Sequence, residues 1–138
     1  MKKREPISHI MTKQVITVQD TDTLEDVVAI FKANHIRHLP VLRGGKTVGM
    51  ISSNDINRLT FGTLFENQAD SNDAVLKILS ISQVMTHKVV SVSSDTVIRE
   101  VAELFAEAEF HSLPVVDDGF LVGIITTTDI IRYMLTQY

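Results

Sequence analysis

Two stretches, VGMISSNDINR at residues 48–58 and VGIITTTDIIR at residues 122–132, are nearly the same eleven letters written twice. The offset is 74 residues, and sliding the chain on itself by that amount sets residues 10–59 against 84–133 without a gap, 16 of 50 pairs being identical. Matched pairs include Met11 with Met85, Thr12 with Thr86, Phe31 with Phe105, Pro40 with Pro114, Gly49 with Gly123 and Asp55 with Asp129. Amphipathic segments can converge on apolar letters, but not on Pro, Gly and Asp in one fixed register. The chain is a tandem duplication.

Composition bounds what such a chain can be. Its 138 residues suffice for roughly one domain, or for two small units. At that length folding removes about two thirds of the chain's surface from water, so the core requires no metal, disulfide or cofactor. Cysteine is absent, which excludes thiolate zinc sites, redox pairs and cysteine nucleophiles. The start, MKKREPISHIM, has no apolar run of signal-peptide length, and no segment approaches the ~20 apolar residues of a membrane span. These features point to a soluble, cytoplasmic protein that does not engage a membrane. A net charge of -4 with both signs interspersed leaves no basic stripe and argues against nucleic acid as a partner.

Each copy reads the same way along its length. VITV (15–18) and VVSV (89–92) are short β-branched runs expected as strands. Helical periodicity follows in residues 23–34 and 96–109, with Thr23 and Asp26 spaced as a capping box. LPVL and LPVV then lead through a short Gly-bearing turn into TVGMIS and LVGIIT, which predicts a hairpin, and a last helix starts near Ser53 and Thr127. Residues 60–83 are expected to extend that helix, loop, and form one short further helix. The fold class is therefore α/β of the α+β kind: two β-α-β-β-α repeats, at 7–65 and 81–138, packed as a pseudo-twofold module around a linker at 66–80.

Met-Thr before a β-branched strand, the Leu-Pro-Val strand and Gly-x-x-Ser/Thr-x-x-Asp at the last helix, each present twice, resemble a tandem pair of CBS domains, named after cystathionine β-synthase. The resemblance covers about residues 7–138. It implies a Bateman module that binds an adenosine nucleotide such as AMP, ADP or ATP in clefts between the repeats, regulates a partner protein, and is not itself an enzyme.

Ser52-x-x-Asp55 and Thr126-x-x-Asp129 fit capping boxes at strand-to-helix turns. The same geometry lets a carboxylate accept from the two hydroxyls of a ribose, and the resemblance assigns that role to Asp55 and Asp129. It further implies that main-chain groups at His38 and Ser112, two residues before each proline, meet the adenine edge, and that Arg37 and His111 reach phosphate. Proline lacks an N–H, so main-chain groups beside it are expected to lack ladder partners. Arginine is always charged and histidine only partly so near neutral pH. Thr12 and Thr17 would join Thr126 and Asp129, and Thr86 and Ser91 would join Ser52 and Asp55. The charge carried by the two copies also differs, with Arg37, Arg43 and Lys46 in the first against Glu109, Asp117 and Asp118 in the second, so the two sites are not expected to be equivalent.

GGKT (44–47) ends like a phosphate-binding loop but joins two strands and lacks the first glycine, so it is read as a hairpin turn. His35 and His38 straddle a helix end and do not form a metal pair. No nucleophile, base and orienting group occur as a set. In the terminal helix Ile130, Met134 and Tyr138 follow at i, i+4, i+8, with Ile131 and Leu135 in an adjoining row and Tyr133 off both, an apolar surface wider than one core-facing stripe. It predicts a homodimer. The alternative function is a ligand-free interaction or dimerisation scaffold.

Overall fold

In a computed structural model, the structure describes residues 4–59, 73–109 and 111–138. The chain is α+β and resolves into two compact units: the described part of Ile16–Val89, and Val90–Tyr138 together with the described residues up to Val15. The boundary falls inside each repeat because the lead-in to each repeat pairs with the hairpin of the other.

The first unit contains β1 (Val18–Gln19), α1 (Leu24–Asn34), β2 (His38–Arg43), β3 (Lys46–Ser52), α2 (Ser53–Leu59), α3 (Asp73–Ile78) and α4 (Ile81–Val84). Thr23 and Asp26 form the expected capping box, with Asp26 N–H donating to Thr23 Oγ1 at 3.0 Å and Thr23 N–H donating to Asp26 Oδ2 at 3.1 Å. Leu24, Val27 and Phe31, at i, i+3 and i+7, turn one face of α1 into a core completed by Leu39, Val41, Ile51, Ile56, Leu76, Ile81 and Met85. Burying a side chain the size of Phe31 contributes about 1.5–3 kcal/mol. The helix ends at His35, which adopts the left-handed conformation (φ 53°).

The second unit contains a single 3-10 turn at Ile7–His9, then α5 (Ile98–Glu107), β4 (Ser112–Asp117), β5 (Phe120–Thr126) and α6 (Thr127–Thr136). Ile7, Val92, Ile98, Val101, Leu113, Val115, Ile125, Ile130 and Tyr133 form its core. Ile7 and Ile81 are 74 positions apart, and each is fully buried in the unit that carries the other repeat's hairpin. The lead-in is held by main-chain bonds: Ile7 N–H to Thr96 O at 2.8 Å, Ile98 N–H to Glu5 O at 2.8 Å, and a reciprocal pair between Thr12 and Ile124 at 2.9 Å each way. Thr86 and Met50 make the same reciprocal pair in the first unit, at 2.8 and 3.1 Å. Val97 stands where Thr23 stands in the first copy, so α5 starts without a side-chain cap.

Both hairpins turn through two residues of positive φ, Gly44 (59°) with Gly45 (84°) and Asp118 (53°) with Gly119 (87°), as primed turns require. GGKT is thus a hairpin turn. Each hairpin carries one register shift at the same place, between Val41 and Leu42 and between Val115 and Val116.

The first strand of each copy is shorter than its composition predicts. Instead of 15–18 the ladder holds Val18–Gln19, and instead of 89–92 it holds an isolated bridge at Val92. Proline explains this. Val92 N–H donates to Pro114 O at 3.1 Å and Val116 N–H donates to Val92 O at 2.8 Å; the next rung upstream would need an N–H at Pro114. Pro40 ends the equivalent ladder at Val18. Of the segment 60–83, residues 60–72 lie outside the described residues, and the rest forms two short helices where one was expected. The second of these, α4, has its own capping box from Ser80 and Gln83.

Candidate functional site

Each unit presents the same arrangement at the end of its hairpin. In the second, Thr126 caps α6: Asp129 N–H donates to Thr126 Oγ1 at 3.1 Å, and Thr126 N–H donates to Asp129 Oδ2 at 2.9 Å. In the first, Asp55 N–H donates to Ser52 Oγ at 3.1 Å and Ser52 N–H donates to Asp55 Oδ2 at 2.8 Å. Both carboxylates are largely withdrawn from solvent and each commits one oxygen, Oδ2, to the cap. The other oxygen is where the copies differ. Asp55 Oδ1 accepts from Arg58 Nη2, whereas Asp129 makes no ion pair among the described residues although Arg132 stands at the matching position.

Ser112 lies opposite Thr126 and His38 opposite Ser52 in the antiparallel ladders. Because Pro114 O and Val116 N–H both point toward Val92, the main chain of Ser112, two residues before Pro114, points to that same side, where the parallel ladder has already ended. The residue before each of these is tied to the following helix: Ser53 N–H donates to Arg37 O at 2.9 Å and Thr127 N–H to His111 O at 3.0 Å. The side chains of Arg37 and His111 remain exposed. Arg37 also lines a pocket of about 270 Å³ with His35, Ile36, Ser53, Asn54 and Asn57, and Asn57 Oδ1 is buried without a hydrogen-bond partner among the described residues.

Thr12, bridged to Ile124, sits two residues along the strand from Thr126, and Thr86, bridged to Met50, sits two from Ser52. The units therefore gather Thr12, His111, Ser112, Thr126 and Asp129 in one, and Arg37, His38, Ser52, Asp55 and Thr86 in the other. Thr17, half-buried ahead of β1, belongs to the first unit, and Ser91, exposed ahead of Val92, to the second. Close approach of each lead-in depends on glycine. A Cβ at Gly49 would lie 2.3 Å from Met85 Sδ, and one at Gly123 would lie 2.7 Å from Met11 Sδ and 2.9 Å from Thr12 O.

Two of the charges that distinguish the copies hold turns. Arg43 Nε donates to Asp20 Oδ2 at 2.6 Å, while at the equivalent pair Asp117 accepts from Ser94 Oγ at 2.6 Å and from Ser94 N–H at 3.0 Å. The Ser94 hydroxyl, and then its N–H, hold the Asp117 carboxyl below the usual range. Sequence reasoning missed Arg58, although Asp-x-x-Arg on a helix is an i, i+3 pair that could have signalled it. Collectively these groups offer acceptors, hydroxyls and main-chain edges suited to recognition. Among the described residues no cluster of three His, Cys, Asp or Glu could hold a metal, and no helix is long and apolar enough to cross a membrane.

The model of the CBS domain family matches residues 7–61 and 81–136. An uncharacterised protein of Methanocaldococcus jannaschii, MJ1426, is 32% identical over 94% of this chain and 90% of its own length. Homoserine O-acetyltransferase of Methanococcus vannielii is 28% identical over 90% of this chain, which spans only 24% of that enzyme. Among solved structures, the CBS domain pair of protein MJ0100, in complex with 5'-methylthioadenosine and S-adenosyl-L-methionine, superposes with a TM-score of 0.76 at 28% identity, covering 96% of this chain and 98% of that one.

Proposed function

Because the chain belongs to the CBS domain family, as a tandem pair, we propose that it is a regulatory module that binds an adenosine-containing ligand and passes its occupancy to a partner protein. The observation that carries this reading is Oδ1 of the half-buried Asp129, an oxygen that the cap leaves unused and that has no partner among the described residues, beside Thr126, Thr12 and the outward main chain of Ser112. A ribose diol supplies donors for such an acceptor, and an adenine edge suits main-chain donors and acceptors. MJ0100, at 28% identity, holds two adenosine derivatives, which supports the same ligand class here. Exposed Arg37 and His111 favour a phosphorylated member such as AMP, ADP or ATP. The match to one quarter of an acetyltransferase supports an adjunct to other machinery over a catalyst. Titration calorimetry of ligand-stripped protein with adenosine, AMP, ADP, ATP and S-adenosylmethionine tests the proposal. Heat and a thermal shift with at least one are expected, and silence across the panel refutes it.

The module is proposed to act as a homodimer. Ile131 (56%), Met134 (42%) and Leu135 (68%) expose an apolar face of α6, with Tyr138 (93%) exposed just past its end, while Ile130 and Tyr133 at i, i+3 turn into the core. Such a face is usually covered by a partner, and a twofold dimer is the commonest arrangement. Light scattering should give twice 15.4 kDa at micromolar concentration. Met134→Glu should give a monomer; a monomeric parent protein sinks the dimer.

A further inference from the structure

The two aspartates carry the same residue at i+3, Arg58 and Arg132, and the same cap, yet among the described residues Asp55 alone has its second oxygen occupied. The Asp55 side chain is 13% exposed and that of Arg58 74% exposed, so the guanidinium reaches in from solvent and can leave without disturbing the core. Neither Asp55 oxygen is then available: Oδ2 serves Ser52 N–H and Oδ1 serves Arg58. Resting on the ribose role proposed above, we infer that Arg58 is a self-closing latch that competes with ligand for Asp55 Oδ1, so that the site of the first repeat fills after that of the second. A ribose hydroxyl arriving at Asp55 must displace a charged donor, whereas one arriving at Asp129 meets an oxygen with no such occupant among the described residues. The latch is mostly exposed, so its strength is that of a surface ion pair, and the penalty on ligand is modest.

Adenosine is the discriminating probe, because it carries no phosphate that Arg58 could otherwise attract. In calorimetry of the full chain, Arg58→Ala should tighten the binding event that Asp55→Ala abolishes by about two- to fivefold, and should leave the event that Asp129→Ala abolishes unchanged. Arg132→Ala, the matched control, should alter neither by as much. Raising salt should narrow the difference between parent and Arg58→Ala. If Arg58→Ala weakens AMP binding while leaving adenosine binding unchanged, Arg58 is a phosphate contact and the latch is overturned. An unchanged or weakened Asp55-dependent event with adenosine overturns it as well. Absence of any binding to the parent protein removes the functional reading, and the latch with it, which is distinct from binding that ignores Arg58.

Discussion

Gly49 and Gly123 occupy equivalent positions, yet alanine at the two should not cost the same. At Gly49 the three nearest neighbours of the new Cβ belong to one flexible side chain: Met85 Sδ at 2.3 Å, Cγ at 2.9 Å and Cε at 3.0 Å. Methionine can rotate about three bonds, although Met85 is only 6% exposed and its room is limited. At Gly123 the new Cβ meets Met11 Sδ at 2.7 Å and also the Thr12 carbonyl oxygen at 2.9 Å. That oxygen is already fixed as the acceptor of Ile124 N–H at 2.9 Å, so relief requires moving main chain. Overpacking costs about 1–3 kcal/mol. Strain on the Thr12 bridge adds up to about 1 kcal/mol. The lower entropy of an unfolded alanine returns about 0.4–1 kcal/mol. Gly123→Ala should therefore destabilise by about 1–3 kcal/mol, and Gly49→Ala by about 1 kcal/mol or less.

Urea unfolding followed by circular dichroism measures both, and truncating each methionine separates the causes. Met85→Ala opens a cavity, so adding Gly49→Ala to it should be neutral or stabilising. Adding Gly123→Ala to Met11→Ala should still cost stability, because the Thr12 oxygen remains in place. If the second pair behaves like the first, the main-chain contact is not what makes Gly123 necessary.

Further outcomes follow from the two cores and their tethers. Ile7→Ala should cost about 2–5 kcal/mol, and hydrogen exchange should accelerate most in α5 and β5, far from Ile7 in sequence; acceleration centred on α1 instead would contradict the pairing of lead-in and second repeat. Asp117 has its carboxyl pKa lowered by Ser94 hydroxyl and N–H. Its contribution to stability is then present above the ordinary aspartate value of about 3.9 and is lost as pH falls through the lower folded value. The stability difference between parent and Asp117→Asn should accordingly be constant from pH 7 to pH 5 and shrink below pH 4; a difference that grows on acidification would reverse the assignment.

The duplication, both hairpins and the Thr23 cap were legible because each rests on local chemistry: fixed Pro, Gly and Asp spacings, turn residues of positive φ, and an N-cap hydroxyl three residues before a carboxylate. The extent of the first strands was not, since what ends them is a missing donor on another strand, at Pro40 and Pro114. Tyr133 stands off the apolar rows of the last helix in sequence, yet it is 7% exposed and shares the buried face with Ile130. The i, i+4 rows of apolar letters mark the exposed side of α6 as well, whereas the core takes the i, i+3 pair. The charge contrast between copies shows in named residues of the sequence, but its use does not: Arg43 and Asp117 hold the turns at Asp20 and Ser94. The role of Arg58 is not legible in sequence, because its counterpart Arg132 is the same residue and the two differ only in contact among the described residues.

Capping and ligand binding at the aspartates are compatible, because a carboxylate has two oxygens and the cap uses one. Ser/Thr-x-x-Asp in both copies therefore serves helix stability whether or not ligand binds, and a substitution that removes the whole side chain tests both roles at once. Asp129→Asn separates them. Its amide oxygen can still accept from Thr126 N–H, and Thr126 Oγ1 still accepts from the N–H of residue 129, so the box survives. What is lost for folding is the negative charge near the start of α6, worth about 0.3–1 kcal/mol. What is lost for binding is larger: the group facing outward becomes an NH₂ donor, and charge-assisted bonds worth about 1.5–3 kcal/mol vanish with it. Urea unfolding should show Asp129→Asn within about 1 kcal/mol of the parent, and calorimetry with AMP should show the Asp129-dependent event weakened by at least about tenfold. Thr126→Ala, which removes the cap hydroxyl, should by contrast lower stability by about 1 kcal/mol. Equal AMP affinity in Asp129→Asn and the parent would mean that Asp129 is a cap and nothing more.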